Sequence, residues 1–455
     1  MATGKALDGK PYAGNPHVRF DEGEVAPATT PRRGSLLYNR RDFFKFGAAA
    51  AAVAAMGGCT ARGAEMPGFG PGAPKPMNNP IWLMTSAFAG KSFEDVLAYA
   101  KAVGAQGLEL CVFRRDTDRA DHIATHLDYE TFDLAAAKRV VRRCNEEGLR
   151  VSVGAYDNLI GAKTEALQRT NQNHILKLIR IAALLGGDAN DVVCGTFVGY
   201  DHVLGRTDGG FEKNLHKFKK VFQPMLNYAK SLGVTVCVEN CPMEGWQPAT
   251  APDAYNNLPG CLAARKLMYA ILDDSSALQE TYDPSHDIWQ HIDPSDVIEA
   301  MDFRRLRRVH IKGTRNFPTS SDAIHWGRLY PEQVVDKALA QKAGVPIAAN
   351  EWARMNYEPR LPGFGGSDSC DWTKFLQTLM KKGFKYPFVI ENEGCNSSHT
   401  GNMGATMQGF RATILNTAPV VWKLGKDGFA FDASALKPMV EPAKDLPVVT
   451  MDQLA

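Results

Sequence analysis

Four side chains of this 455-residue chain have the types and positions needed to grip a hard divalent cation. Glu239 ends the run Thr235-Val-Cys-Val-Glu, and Asp283 follows Leu278–Tyr282. His310 lies near the end of Leu306–Ile311, and Glu391 ends Tyr386-Pro-Phe-Val-Ile-Glu. Singly, a carboxylate after a strand is more often a helix cap or a solvated loop group. The series carries more weight, because the strands of a parallel barrel bring their C-terminal ends to one mouth, where such folds keep their chemistry. Strand parity agrees, since side chains alternate faces along a strand. Val234, Val236 and Val238 share one face and leave Thr235, Cys237 and Glu239 on the other. His310 and Lys312 share a face opposite Val309 and Ile311, and Glu391 and Glu393 oppose Phe388 and Ile390.

Three carboxylates and an imidazole form an oxygen-rich donor set. It suits Mn²⁺ first, with Mg²⁺ or Co²⁺ as alternatives, better than a thiolate zinc site. A cation with open positions can chelate a carbonyl oxygen and the neighbouring hydroxyl of a keto-sugar, which acidifies the hydroxyl-bearing carbon. Two carboxylates can then serve as base and acid. Around this set, His286 either touches substrate or holds Asp283 in place. Lys312 either steadies a developing oxyanion or is solvated at the rim. Trp289 and His291 are further candidates for the pocket wall.

Positioning these groups takes alternating strands and helices. Strand-like runs fall at 81–87, 107–113, 150–156, 191–198, 234–240, 278–282, 306–311 and 386–391. Helical patterns lie between them, the first opened by a capping-box sequence, Ser92-Phe-Glu-Asp95, and stopped by Gly104. The alternation predicts a parallel α/β architecture. It breaks between Gly313 and Cys370, which predicts an insertion of about residues 314–370 after the seventh strand, covering the mouth. Trp326, Trp352, Arg354 and Tyr357 in that insertion either stack on a sugar or pack its own core. A helix near 404–423 completes the pattern, and residues 426–455 read as a peripheral tail.

The stretches Val238-Glu-Asn-Cys-Pro242, Tyr282-Asp-Pro-Ser-His286, Trp289-Gln-His-Ile-Asp-Pro294, Val309-His-Ile-Lys312 and Ile390-Glu391, in that order, resemble the sugar phosphate isomerase/epimerase family with xylose-isomerase-like barrels. The resemblance spans roughly residues 80 to 423 and implies a (β/α)8 TIM barrel, here residues 80–425. It implies that Glu239, Asp283, His310 and Glu391 bind the metal, that Glu239 and Glu391 exchange the substrate proton through an enediolate, and that His286 binds substrate. Members commonly follow His-x-Lys with Asp, whereas this chain has Gly313, so any role of that carboxylate is missing.

Composition is ordinary for a globular protein, with 44% hydrophobic and 22% charged residues and a net charge of +2. A near-neutral chain argues against nucleic-acid tracking, and Arg304-Arg305-Leu306-Arg307-Arg308 reads instead as a helix-to-strand turn at the barrel's lower rim. Residues 1–59 form a polar leader with paired Arg40 and Arg41 before a mild alanine-rich run, which looks like a twin-arginine export signal. That run falls short of the twenty or so apolar residues a bilayer demands. Gly57-Gly58-Cys59 also resembles a lipoprotein processing site, so a lipid anchor at Cys59 competes with plain cleavage near Ala61–Ala64. Residues 60–79, rich in Pro and Gly, read as a tether. The nine cysteines include no Cys-x-x-Cys pair and fall largely in strand-like runs, which predicts mostly free, buried thiols.

These features point to an exported, periplasmic or envelope-bound isomerase or epimerase of a keto-sugar or keto-glycoside, with its oligomeric state left open. The rivals are a lyase or dehydratase acting on a 3-keto-glycoside through the same metal site, and a non-catalytic carbohydrate-binding lipoprotein.

Overall fold

In the computed structural model the described residues are 79–454 except 89, 116–125, 187–191, 244–256, 317–336, 346–356, 361, 363–367, 392–405, 408, 411–423, 426–427 and 430–435. Eight strands close a parallel barrel. They are β1 (Ile81–Met84), β2 (Gly107–Cys111), β3 (Arg150–Ala155), β4 (Val193–Thr196), β5 (Thr235–Glu239), β6 (Leu278–Tyr282), β7 (Leu306–Ile311) and β10 (Phe388–Ile390), with β10 pairing both β7 and β1. This is the (β/α)8 TIM barrel expected from the alternation. Between β7 and β10, β8 (Gly313–Asn316) and β9 (Tyr357–Arg360) form an antiparallel ladder at the root of the insertion. Trp326, Trp352 and Arg354, the extended 346–350 segment and most of the 404–423 helix lie outside the described residues.

The outer layer carries the predicted helices: α1 (Phe93–Val103), α2 (Leu134–Glu147), α3 (Glu165–Leu185), α4 (Gly210–Ser231) and α5 (Leu262–Ile271). After β6 come α6 (Pro284–Trp289) and α7 (Pro294–Ala300), then α8 (Lys337–Ala343) in the insertion and α9 (Trp372–Lys381) before β10. The capping box is formed: Ser92 Oγ accepts from the Asp95 amide while the Asp95 carboxylate accepts from the Ser92 amide. Gly104 ends α1 at φ 76°, left-handed backbone that a side chain would strain.

The barrel floor is filled rather than hollow. Trp82 turns inward over Gly107, where a Cβ would come within 2.4 Å of the indole, and the buried Arg308 guanidinium stacks 4.8 Å from the Trp82 ring. Arg305, Arg307 and Arg308 of the basic run are taken up by the fold, while Arg304 stays exposed and pairs with Asp302. Arg305 lies over Tyr269 and Arg307 over Tyr386. Cys111, Cys144, Cys194, Cys237, Cys241, Cys261 and Cys370 are free thiols, all but Cys261 buried. No described helix is long and apolar enough to cross a membrane. The C-terminal residues 436–454 are docked on outer helices. Asn145 of α2 exchanges two hydrogen bonds of 2.7 Å with the Met439 backbone, and buried Arg180 of α3 reaches Asp445 at 2.6 Å.

Candidate metal centre

The last residue of β5, the residue after β6, the fifth residue of β7 and the residue after β10 meet at one point. Glu239, Asp283, His310 and Glu391 each offer a ligand atom, and these atoms all lie within 4.8 Å of one another. All four side chains are buried. His310 Nδ1 lies 3.0 Å from Glu239 Oε1 and 3.3 Å from Glu391 Oε2. Lys312 Nζ lies 3.0 Å from Asp283 Oδ2 and 3.2 Å from Glu391 Oε2.

The alternation of side chains along each strand explains the convergence. His310 and Lys312 sit two residues apart on one face of the β7 segment and both turn inward. Asp283 is held at three points. Its carboxylate caps α6 by accepting from the Ser285 amide at 2.8 Å. Its own amide donates to Asn240 Oδ1 at 2.8 Å, and its carbonyl accepts from Asn240 Nδ2 at 3.0 Å. The other carboxylate oxygen, Oδ2, is buried and makes no hydrogen bond, with Lys312 Nζ at 3.0 Å and His286 Nε2 at 3.4 Å as its charged neighbours. A buried oxygen left in that state, facing two further carboxylates and an imidazole, fits a hard cation at this point.

Electrostatics hold Glu239 and Glu391 ionised. Burial and the nearby Glu391 charge raise the Glu239 pKa, but His310 and His286 outweigh them and bring it down to about 2. Burial opposes ionisation of Glu391 too, and Lys312 with His310 hold it well below the usual carboxylate range. For His310, burial disfavours the charged ring, but Glu109 and Glu239 raise its pKa well above 6.5.

The other sequence candidates separate. His286 is buried, with Nε2 3.4 Å from both Glu239 Oε1 and Asp283 Oδ2, so it stands against two members of the quartet. Trp289 packs edge-on to His286 at 4.4 Å, lies 5.3 Å from Lys312 Nζ and donates to Thr314 Oγ1 at 2.6 Å. It therefore packs beside the quartet. His291 is exposed in left-handed backbone, φ 61°, at the turn after α6. Glu109, which sequence reasoning passed over, is buried on β2 with Oε2 3.4 Å from His310 Nε2. Its signal was a lone carboxylate inside the apolar run Gly107-Leu-Glu-Leu-Cys111.

Comparison with known proteins gives two family matches. The xylose isomerase-like TIM barrel family matches residues 97–412, and the twin-arginine translocation signal matches residues 38–57. Similar solved structures include a probable 3-DHS dehydratase from Bacillus anthracis, at 16% identity and TM-score 0.46, over 74% of this chain and 99% of that one. A 3-keto-D-glucoside 4-epimerase from E. coli is 14% identical with TM-score 0.46, over 73% of this chain and 99% of that one. A xylose isomerase domain protein from Planctomyces limnophilus is 13% identical with TM-score 0.46, over 75% and 99%. No curated protein matches the sequence.

Proposed function

Since the chain belongs to the xylose isomerase-like TIM barrel family and carries a twin-arginine signal for export, we propose that it is a metal-dependent isomerase or epimerase acting on a keto-sugar or keto-glycoside outside the cytoplasm. The observation that carries this reading is the buried quartet Glu239, Asp283, His310 and Glu391, whose ligand atoms lie within 4.8 Å of one another. These residues would hold one divalent cation, with Mn²⁺ the best match to the donor set and Mg²⁺ or Co²⁺ next. When bound, such an ion supplies a Lewis acid for the vicinal carbonyl and hydroxyl oxygens of the substrate.

This chain's own groups do the proton work. Glu239 and Glu391 are ionised, and one of them takes the proton from the hydroxyl-bearing carbon. The other, once it has taken up a proton from solvent, returns it to the opposite face to give the epimer, whereas return of the abstracted proton to the adjacent carbon gives the isomer. Lys312 and His286 supply positive charge and donors toward the substrate oxygens as negative charge develops there. Trp289 closes the wall behind them, and all five groups are buried. Cys59, after Gly57-Gly58, is our candidate for a lipid anchor on the mature protein. Exchange of Cys59 for serine should release the mature protein from membranes, and retention would refute the anchor.

The decisive experiment is uptake of deuterium from heavy water into a panel of 3-keto-sugars, with and without chelator. We expect metal-dependent uptake at the carbon beside the carbonyl that Glu239→Gln removes. Uptake accompanied by loss of the aglycone would move the assignment to a lyase or dehydratase. Sugar binding with no exchange by the metal-loaded wild-type protein would leave a carbohydrate-binding protein.

A further inference from the structure

We infer that Glu109 and Tyr156 form a positioning pair that fixes the tautomer and angle of His310, so that Nδ1 is the nitrogen offered to the cation. The inference rests on the metal-centre reading above and extends it to two residues outside the ligand set. His310 has two distinct sides. Nδ1 looks toward the ligand carboxylates, 3.0 Å from Glu239 and 3.3 Å from Glu391, while Nε2 looks across the barrel to Glu109 Oε2 at 3.4 Å. A neutral imidazole carries its proton on one nitrogen only. A carboxylate facing Nε2 keeps that proton there and leaves the Nδ1 lone pair for coordination.

Glu109 is itself held. The Tyr156 hydroxyl donates to Glu109 Oε1, and the Tyr156 ring packs edge-on against Phe197, with centroids 5.0 Å apart. The barrel makes room for this pair at Gly195 on β4. A Cβ there would come within 2.6 Å of the Tyr156 hydroxyl oxygen and 3.1 Å of Glu109 Oε1. Gly195 needs no special backbone conformation, as its φ is not positive. Close approach of the Tyr156–Glu109 pair is the physical reason for a glycine at that place. Glu109 on β2 and Tyr156, the residue after β3, thus form a single hydrogen-bonded path that ends on His310, with Gly195 on β4 leaving room for it.

The test is calorimetric titration of the folded, metal-stripped protein with Mn²⁺, comparing wild type, Glu109→Gln, Tyr156→Phe and the double variant. Glu109→Gln should weaken Mn²⁺ binding by about 10–100-fold, and Tyr156→Phe by less. The double variant should bind no more weakly than Glu109→Gln alone, because Tyr156 acts only through Glu109. In ¹⁵N spectra of the Mg²⁺-loaded protein, His310 should be the Nε2–H tautomer in wild type and lose that preference in Glu109→Gln. Failure of wild type to bind either ion would overturn the metal centre itself. Wild-type binding matched by Glu109→Gln within twofold would overturn the positioning role alone. So would a loss as complete as that of Asp283→Asn, which would make Glu109 a ligand. Tyr156→Phe leaves every carboxylate in place and keeps the inference testable if Glu109→Gln fails to fold.

Discussion

At the scale of single residues, Asp283 shows how one carboxylate serves both fold and site. One oxygen caps α6 and the other faces the cluster. Asn caps a helix about as well as Asp, whereas Ala loses roughly 1 kcal/mol at a cap. Asp283→Asn should therefore abolish divalent binding with little change in metal-free stability beyond the lost Lys312 contact. Asp283→Ala should lower that stability by about a further 1 kcal/mol, and denaturant midpoints of the two stripped variants measure the difference. The charges around Asp283 also set a pH window. Glu239 and Glu391 have depressed pKa values, so their stabilisation is present above the unfolded value of 4.5 and is lost as pH falls through the folded values. His310 has a raised pKa, so its stabilisation is complete below 6.5 and is lost as pH rises through the folded value. Both edges belong to the same ion pair. The stripped protein should be most thermostable between those two values. A bound divalent cation replaces the His310 proton, so the alkaline fall in melting temperature should disappear on loading, and its persistence in Mn²⁺ would count against His310 as a ligand.

Among the elements, the sequence made the strands legible because each is a short apolar run, and it pointed to the four clustered side chains because each sits at or near a strand's C-terminal end. Parity put Glu239, His310, Lys312 and Glu391 on inward faces without any structure. Glu109 escaped because it lies in the middle of β2 rather than at its end, and nothing local tells an inward carboxylate from an outward one. Only the neighbouring strands, through Gly195 and Tyr156, give that position its meaning. The short helix α6 also went unread, since Asp-Pro-Ser-His looks like a turn until the cap is seen. Its last residue ties the wall to the insertion. Trp289 Nε1 donates to Thr314 on β8, and Asp368 at the insertion's exit accepts from the Thr314 amide at 3.2 Å and from the Trp372 indole at 2.5 Å. Removing the hydroxyl with Thr314→Val strands a buried indole N–H, a loss of about 1–3 kcal/mol. Urea unfolding should register it. Because Trp289 touches His286 and Lys312, the same change should raise KM more than it lowers kcat.

For the whole molecule, barrel closure and the docked tail are separate devices. Closure depends on β10 pairing with β1, which the Asn79 side chain reinforces by donating to the Tyr386 carbonyl at 2.7 Å and the Phe384 carbonyl at 3.2 Å. The tail adds nothing to the sheet. It runs along α2 and α3, with Met439 and Met451 buried beneath it, and the Met451 amide donates to Asn173 at 2.8 Å. Sequence could not reveal this, because residues 436–454 lack a helical or strand period and their partners lie some 270 to 300 positions away. Arg180 is the point of greatest consequence. Its guanidinium binds the Phe132 carbonyl at 2.6 Å, the Leu446 carbonyl and Asp445, joining α3, the segment before α2 and the tail. Ending the chain at residue 435 removes the Asn145 pair, two of the Arg180 partners and the Asn173 bond. At about 1 kcal/mol for each hydrogen bond, that amounts to roughly 4–5 kcal/mol before the two methionines are counted. None of these contacts reaches Glu239, Asp283, His310 or Glu391. The truncated protein should therefore melt well below the full chain yet bind Mn²⁺ with unchanged affinity at a temperature where it remains folded. A parallel loss of affinity would show that the outer helices, and not the strands alone, hold the ligands in register.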